Sequence, residues 1–362
     1  MIPIEYYALV YHISLAITVI MLSLFLFKKN LGDFYSSENN RYAMIVLTLI
    51  ILFIGLRDPW GSWMYLGDTG AYTRTFENIT IDKLLESKDY GFDLFMYLSA
   101  QVMSIQWFYL LCALIYVGLP YLAFRKWFGN RAWLALLVYV TAMSFWAFGI
   151  NGLRNGLAAA FFIYGISFIR QPLKLTIWLV IAIGFHKSML LPVAAFVLTR
   201  FIKNTTLLIR VWLLAIPVAF LFGKGLETTI SSFFDIIGLS DKRTENLFVE
   251  ELDGQAVSRS FRLDFIIYSG VAVFLGYYYI INKKYIDVLY IRIFNTYLIA
   301  NTVWILMIYA AFTNRTAYLS WFMMPLVLIY PLLKVQFVKK QSHWVFWIII
   351  GSLLFTLLMF LK

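Results

Sequence analysis

The sequence predicts an all-α, polytopic integral membrane protein with about 11–12 transmembrane helices. Apolar residues make up 62% of the 362 residues, charged residues make up only 14%, and the mean hydropathy is +0.78. A soluble globular chain usually has about 25% charged residues, so this composition excludes an ordinary soluble domain. Long apolar runs and a one-sided distribution of Lys and Arg support the same prediction.

Apolar runs that approach the ~20 residues of a membrane-crossing helix follow one another along the chain. They cover residues 6–27, 42–56, 107–124, 132–149, 153–169, 174–200, 208–223, 263–281, 291–312, 317–333 and 343–361. The run 174–200 is longer than one crossing requires, and Gly184, His186 and Pro192 interrupt its middle. We therefore expect a broken helix near His186, with two half-helices that meet on the outer side of the membrane.

Lys and Arg residues gather in short clusters at the ends of the apolar runs. The clusters are Lys28, Lys29 and Arg41; Arg125, Lys126 and Arg131; Arg170 and Lys174; Arg200, Lys203 and Arg210; Lys283, Lys284 and Arg292; and Lys334, Lys339 and Lys340. Cytoplasmic loops of membrane proteins carry an excess of these residues, so the clusters mark the inside. The same bias explains the net charge of +11, which is therefore no sign of nucleic-acid binding.

The loops between the basic clusters place any chemistry on the outer side. We expect one transmembrane domain over residues 1–362, with two long extracytoplasmic loops at about 57–92 and 224–262. The sequence has no P-loop, no dinucleotide-binding glycine motif, no zinc-protease motif and no Cys/His metal motif. An ATP-driven pump, a dinucleotide-dependent enzyme and a zinc protease are therefore disfavoured.

Arg57 and Asp68 lie together in the first outer loop. Arg57 directly follows an apolar run, where an arginine can also simply snorkel toward the lipid headgroups. Asp68 lies among glycines, which is also an ordinary turn composition. Together the two residues place a cation and a carboxylate in one short segment, so both are candidate site residues.

Arg154 lies where the chain re-enters the membrane. Asn151, Arg154, Asn155 and Ala158 are three or four residues apart, so we expect them to share one face of a helix. The N-terminus of that helix supplies free N–H groups and a positive dipole end, which favour an anion. A planar guanidinium suits phosphate oxygens, so we interpret Arg154 as a phosphate-binding residue rather than an interfacial anchor.

His186 lies in the interrupted apolar run. A lone histidine is more often structural than catalytic, but non-helical backbone at membrane depth is tolerated only where it is buried in protein or lines a wet cavity. Ionisable groups there are costly and usually face such a cavity. Histidine can also transfer a proton near neutral pH, and Ser188 is close enough in sequence to orient its ring.

Arg315 lies between two apolar runs that are separated by almost no loop. Tyr318 is one turn further along the same helical face. We expect Arg315 to face the same side as Arg154. Two or three arginines that converge on one cavity would bind a polyanion strongly.

The order of these residues resembles the EpsG family, which are Wzy-like polymerases of bacterial surface polysaccharides. The matching residues are Arg57, Gly67, Asp68, Thr69, Tyr72 and Phe76; Tyr90, Gly91 and Phe92; Leu153, Arg154, Asn155, Gly156, Leu157 and Ala158; Phe185, His186, Lys187 and Ser188; and Arg315 and Tyr318. The resemblance covers roughly residues 50–330. Each motif is short, so the specificity lies in their order, and Asn155 stands where the family often has Gln.

The resemblance implies a GT-C-like glycosyltransferase of the bacterial cytoplasmic membrane, with its active site on the extracytoplasmic side. Both substrates would be oligosaccharides carried on polyprenyl pyrophosphate, and the growing glycan would pass to the next lipid-linked repeat unit. Membrane lipid and a chain-length regulator would be further partners, and nucleic acid would not. No cofactor is required, although Asp58 and Asp68 could hold Mg²⁺ or Ca²⁺ with the pyrophosphate.

The resemblance also gives the site residues their roles. Arg154 and Arg315, joined by Arg57, would stabilise the negative charge that develops as the sugar–pyrophosphate bond breaks. His186 is the first candidate for the base that takes the acceptor proton, and Asp68 is the second. The supporting residues would be Asn151, Asn155, Ser188, Tyr72 and Tyr318.

Three other functions stay open. An O-antigen-ligase-like enzyme would pass the glycan to a different acceptor. A membrane acyltransferase can also use one intramembrane histidine near arginines, but the short basic inside loops do not favour a cytoplasmic acyl donor. A transporter or flippase would bind lipid-linked sugar with the same arginines, yet transporters usually have broken helices in both halves and this sequence shows one such segment.

Overall fold

The computed structural model describes residues 2–28, 39–85, 89–236, 251–252, 255–256, 260–310 and 313–361. The described chain is helical apart from two short strands, β1 (Glu251–Leu252) and β2 (Gln255–Ala256), which pair antiparallel. The prediction of an all-α polytopic membrane protein is therefore confirmed.

The helices follow in chain order from the N-terminus. The first nine are α1 (Ile4–Lys28), α2 (Asn39–Gly55), α3 (Trp63–Leu66), α4 (Thr69–Glu77), α5 (Ile81–Leu85), α6 (Tyr90–Ala100), α7 (Ile105–Phe128), α8 (Ala132–Val140) and α9 (Phe145–Ile150). The others are α10 (Leu153–Ile166), α11 (Pro172–Phe185), α12 (Leu190–Leu198), α13 (Thr205–Ile236), α14 (Leu263–Tyr277), α15 (Val288–Leu306), α16 (Thr313–Trp321), α17 (Met324–Lys334) and α18 (Gln341–Leu361).

Helical segments of the described chain fall where the apolar runs predict membrane crossings. Seven are long and apolar enough to cross a membrane, namely Ile4–Phe27, Ile105–Val140, Thr205–Gly223, Leu263–Asn282, Val288–Leu306, Thr313–Lys334 and Gln341–Leu361. Shorter apolar helices cover Arg41–Gly55, Leu153–Ile166, Pro172–Phe185 and Lys187–Leu198. By length and composition, the fold is that of a multi-pass membrane protein.

The predicted break near His186 is present. α11 ends at Phe185, and His186 has an extended backbone with φ −156° and ψ 119°. A single 3₁₀ turn at Lys187–Met189 then leads into α12. The run 174–200 therefore forms two short helices, as its interrupted middle predicts.

The prediction of one helix over residues 132–149 is wrong, because the chain leaves the helical path between α8 and α9. The carbonyl oxygen of Thr141, in this interruption, accepts hydrogen bonds from the hydroxyls of Ser352 and Thr356 on α18, at 3.0 and 2.7 Å. A backbone group released from a helix needs such a partner in an apolar environment. The interhelical hydroxyls therefore make the break tolerable.

The two predicted outer loops contain more helix than expected. The first, 57–92, holds the short helices α3, α4 and α5 and the start of α6. The second, 224–262, is helical at its beginning, because α13 continues to Ile236. Residues 237–250, 253–254 and 257–259 of this loop lie outside the described residues.

The chain divides into two compact units, the first comprising Met1–Val193 and Ile329–Lys362 and the second comprising Ala194–Leu328. In the first unit, α2 and α10 both pack on α7, and α11 packs on α10. Ala158, Ala159 and Ala160 of α10 are fully buried. Small side chains of this kind let neighbouring membrane helices approach closely.

A buried hydrogen-bond network joins four helices of the second unit. Asn301 of α15 accepts a hydrogen bond from Trp212 Nε1 of α13 at 2.7 Å. Its amide donates to the hydroxyls of Ser269 on α14 and Ser320 on α16, at 3.2 and 2.9 Å. Trp321 Nε1 also donates to Ser269 Oγ at 2.8 Å. Because interhelical hydrogen bonds help to hold membrane helices together, this network fixes the packing of the unit.

Candidate active site

Polar side chains of the first unit gather where the outer segment 57–92, the start of α10 and the break after α11 meet. We call this group the Arg154 cluster, and it consists of Asp68, Tyr72, Asp89, Asn151, Arg154, His186 and Ser188. Contacts between its members link segments that lie far apart in the sequence. The sequence predicts all of these residues except Asp89.

Asn151 connects the Asp68 segment to the start of α10. Its Oδ1 accepts a hydrogen bond from the backbone N–H of Asp68 at 3.0 Å. Gly67 has φ +52°, and a Cβ there would lie only 2.6 Å from the Asn151 side chain, so this position requires glycine. Asn151 itself precedes Gly152, the N-cap of α10. The prediction that Asn151 shares a helical face with Arg154 is therefore wrong, because Asn151 lies in the corner before the helix.

Asp68 is the N-cap residue of α4, but its carboxylate caps no backbone N–H of that helix. The residue is partly exposed. Within the described part of the chain, its carboxylate has no hydrogen bond and no ion pair. An ionised carboxylate accepts hydrogen bonds and donates none. A carboxylate without a protein partner is therefore suited to receive a proton from a bound hydroxyl group.

Arg154 forms an ion pair with Asp89. Its Nη1 lies 3.1 Å from Asp89 Oδ2, and the side chains are 29% and 0% exposed, respectively. The guanidinium carbon lies 5.7 Å from the ring centroid of Tyr72 and 5.8 Å from that of Phe92. The arginine is therefore held by a buried carboxylate and two aromatic rings while part of it stays accessible.

Asp89 also binds the backbone at the helix break. Its Oδ1 accepts a hydrogen bond from the N–H of Lys187 at 3.2 Å. Sequence reasoning missed Asp89, although it directly precedes the Tyr90–Gly91–Phe92 motif at the start of α6. One carboxylate thus connects α10 to the residue after His186.

His186 is held by Ser188. The backbone N–H of Ser188 donates to His186 Nδ1 at 3.2 Å, and Ser188 Oγ lies 2.6 Å from the same nitrogen. A backbone N–H can only donate, so Nδ1 is the acceptor, and in the neutral ring Nε2 carries the proton. This arrangement makes Nε2–H a hydrogen-bond donor.

Arg57 is fully buried, and its predicted contact with pyrophosphate stays a prediction. Its Nη1 donates to the Ile54 carbonyl oxygen at 2.7 Å, and its Nε donates to Thr69 Oγ1 at 3.2 Å. Its guanidinium carbon lies 3.9 Å from the ring centroid of Tyr109, and Nη2 has no hydrogen-bond partner among the described residues. Burial lowers the pKa of this guanidinium below its usual value. Arg57 therefore holds Thr69, the residue after Asp68, through a buried hydrogen bond.

Three predicted residues remain, namely Asn155, Arg315 and Tyr318. Asn155 is buried in α10, and its Oδ1 has no hydrogen-bond partner among the described residues. Arg315 is exposed near the start of α16, and Tyr318 is buried in the same helix. Both belong to the second unit, so the predicted convergence of Arg315 with Arg154 and His186 stays a prediction.

No group of three or more His, Cys, Asp or Glu side chains within the described ranges could hold a metal ion. Asp58 accepts a hydrogen bond from the backbone N–H of Trp60 at 2.9 Å. The predicted alternative of a divalent cation held by Asp58 and Asp68 stays a prediction.

Gly91 sets the distance between α6 and α11 beside the cluster. A Cβ at Gly91 would lie 2.8 Å from both the carbonyl carbon and oxygen of Gly184, and backbone atoms cannot move aside cheaply. Gly91→Ala is therefore expected to destabilise the protein by about 1–3 kcal/mol, as overpacking usually does. Thermal unfolding of the purified protein measures this change.

Gly184→Ala is the matched control for this contact. A Cβ at Gly184 meets only the Gly91 Cα, at 3.8 Å, which is ordinary van der Waals contact. We expect Gly184→Ala to unfold close to the wild-type temperature. Equal destabilisation by the two substitutions would contradict the described geometry.

A family model described as the EpsG family matches residues 40–362 of the chain. No curated protein and no solved structure gives a significant match. The matched region contains every residue of the Arg154 cluster.

Proposed function

The chain belongs to the EpsG family, and from this premise we propose that it is a polysaccharide polymerase. It transfers a growing glycan from polyprenyl pyrophosphate to a lipid-linked repeat unit at the outer face of the cytoplasmic membrane. The single observation that supports this proposal best is the Arg154 cluster. It contains the partly accessible guanidinium of Arg154, the ring of His186, and the carboxylate of Asp68, which has no partner among the described residues.

The proposed reaction exchanges one bond at the anomeric carbon for another. The bond between the anomeric carbon of the donor glycan and a pyrophosphate oxygen breaks. A bond from the same carbon to a hydroxyl oxygen of the acceptor glycan forms, and the hydroxyl proton passes to a protein carboxylate. The released polyprenyl pyrophosphate keeps the electron pair of the broken bond, so negative charge develops on its oxygen.

Arg154 is suited to stabilise this developing charge. A guanidinium has five N–H donors in a planar arrangement that matches phosphate oxygens, and its contacts with Asp89 and Tyr72 use only some of them. Donors aimed at a developing charge lower the barrier more than they strengthen ground-state binding. Arg154 at the start of α10 therefore receives the leaving pyrophosphate, and the exposed Arg315 is a proposed second contact.

Asp68 fits the role of the base better than His186. From the sequence, His186 is the first candidate and Asp68 the second. However, the Ser188 N–H bond to Nδ1 leaves the neutral ring with a donor at Nε2, which suits a phosphate oxygen rather than an acceptor hydroxyl. The Asp68 carboxylate has no partner among the described residues, so Asp68 takes the proton of the acceptor hydroxyl.

Incubation of the purified protein with a lipid-linked repeat unit tests the proposed function. The expected result is a ladder of products that differ by one repeat unit and remain on the lipid carrier. A flippase would leave the substrate unchanged, and a ligase would move glycan only when a different acceptor is added. Either of these results would overturn the proposal.

A further inference from the structure

Asp89 is a buried carboxylate that the proposed reaction does not use. Its side chain is 0% exposed, and its two oxygens have different partners, Arg154 Nη1 and the backbone N–H of Lys187. We propose that Asp89 is a positioning residue that holds Arg154 and the histidine break in one fixed arrangement. This proposal rests on the proposed function and adds a residue to its site.

The contacts of Asp89 leave it little freedom to move. A carboxylate is costly to bury unless a charged partner and hydrogen bonds compensate for the lost water. Arg154 supplies the opposite charge and Lys187 supplies a backbone donor, so each oxygen is satisfied. Because both oxygens belong to one rigid group, Arg154 Nη1 cannot move relative to the Lys187 backbone without breaking a contact.

The packing of α6 fixes the position of Asp89 itself. A Cβ on Gly91, two residues later, would lie only 2.8 Å from the Gly184 backbone, so α6 and α11 approach closely here. The rings of Phe92 and Phe95 also lie 6.1 and 5.6 Å from the ring of Phe185, the last residue of α11. Asp89 therefore extends from a helix end that is packed against the residue immediately before His186.

The charge of Asp89 has a second consequence for the bound substrate. A carboxylate beside Arg154 opposes the approach of another anion, so Asp89 does not strengthen the ground-state binding of pyrophosphate. Its contribution is to aim the guanidinium and the histidine Nε2–H at one leaving group. Removal of Asp89 should therefore lower kcat without raising KM. Loss of a binding contact would instead raise KM.

Asp89→Asn is the first test, because the amide oxygen can still accept from the Lys187 N–H while the ion pair is lost. We expect kcat for chain growth to fall about 10²-fold, the size expected for a small misplacement of catalytic groups, with KM unchanged or lower. The matched control is Asp82→Asn on the exposed face of α5, which should keep the wild-type rate. A raised KM with unchanged kcat would overturn the proposal.

A double-mutant cycle with Arg154→Ala shows whether Asp89 acts through Arg154. In the Arg154→Ala background, Asp89→Asn should lower kcat by less than about 3-fold, because the residue that it positions is already absent. A further loss of about 10²-fold would overturn the proposal, since Asp89 would then act independently of Arg154.

Asp89→Glu keeps the charge and is the second variant in case Asp89→Asn does not fold. The Asp89 side chain is 0% exposed, so we expect the longer side chain of Glu to shift the Arg154 guanidinium and to lower kcat at least about 10-fold. A wild-type kcat for this variant would overturn the proposal.

Binding of inorganic pyrophosphate, measured by calorimetry, separates this proposal from the proposed function. Asp89→Asn should bind inorganic pyrophosphate at least as tightly as the wild type. Binding that is weakened more than about 3-fold would overturn the positioning role, because Asp89 would then support the anion itself. Failure of the wild type to extend a lipid-linked repeat unit would instead overturn the polymerase function, and the binding result would still decide the role of Asp89.

Discussion

Arg154→Ala is expected to lower the rate of chain growth by about 10²–10³-fold, the usual effect of removing one donor from a site of developing charge. Arg154 is the partly exposed member of a buried ion pair, so part of its guanidinium is accessible while Asp89 fixes the rest. Arg154→Lys keeps the charge but loses the planar arrangement of donors, so we expect an intermediate rate. The rate of product formation from a lipid-linked repeat unit measures both variants.

The control for this prediction is Arg74→Ala. Arg74 is exposed on α4, in the same outer segment as Asp68, and its Nε donates only to the backbone oxygen of Gly70 among the described residues. Its removal should leave the rate within about 3-fold of the wild type, because surface substitutions rarely have larger effects. Wild-type chain growth in Arg154→Ala would contradict a role of Arg154 in transfer.

Loss of stability must be separated from loss of activity in Arg154→Ala. Removal of one partner of a buried ion pair costs about 3–5 kcal/mol, because the other charge stays buried without compensation. The double variant Arg154→Ala with Asp89→Asn removes both charges, so it should regain much of the stability and none of the activity. Thermal unfolding of the single and double variants distinguishes the two effects.

Asp68→Asn is expected to lower the rate of chain growth by about 10²–10⁴-fold, the contribution of a general base in transfer reactions. The substitution preserves the shape of the side chain and the backbone hydrogen bond to Asn151, so the loop should keep its structure. KM for the lipid-linked acceptor should change little, because the carboxylate acts on the proton in the transition state. Steady-state kinetics with purified protein provide the measurement.

The control for Asp68 is Glu77→Gln, which neutralises an exposed carboxylate at the other end of the same helix α4. We expect this variant to extend glycans at the wild-type rate. A wild-type rate in Asp68→Asn, together with loss of chain growth in His186→Gln, would instead assign the base role to His186.

The broken helix and the position of Arg154 could be predicted from local sequence. Gly184, His186 and Pro192 interrupt an apolar run that is too long for one crossing, so the chain had to leave the helix within it. Arg154 follows Gly152 at the start of an apolar, alanine-rich run, which is the pattern of a helix N-terminus. Both conclusions use residues that are close together in the chain.

The partners of the charged residues could not be predicted in this way. Asp89 lies 65 residues from Arg154, and nothing in either segment indicates which acid reaches which arginine. Arg57 follows an apolar run, and this pattern is the same whether the side chain snorkels outward or is buried beneath a loop. Only the packing of α4 and α7 around Arg57 distinguishes the two placements.

An electron cryomicroscopy structure with bound polyprenyl pyrophosphate tests the central claim most directly. We predict that phosphate oxygens lie within about 2.7–3.2 Å of the Arg154 guanidinium and of His186 Nε2, with Asp89 still paired to Arg154. A diphosphate bound elsewhere, with neither side chain in contact with a phosphate oxygen, would contradict the account.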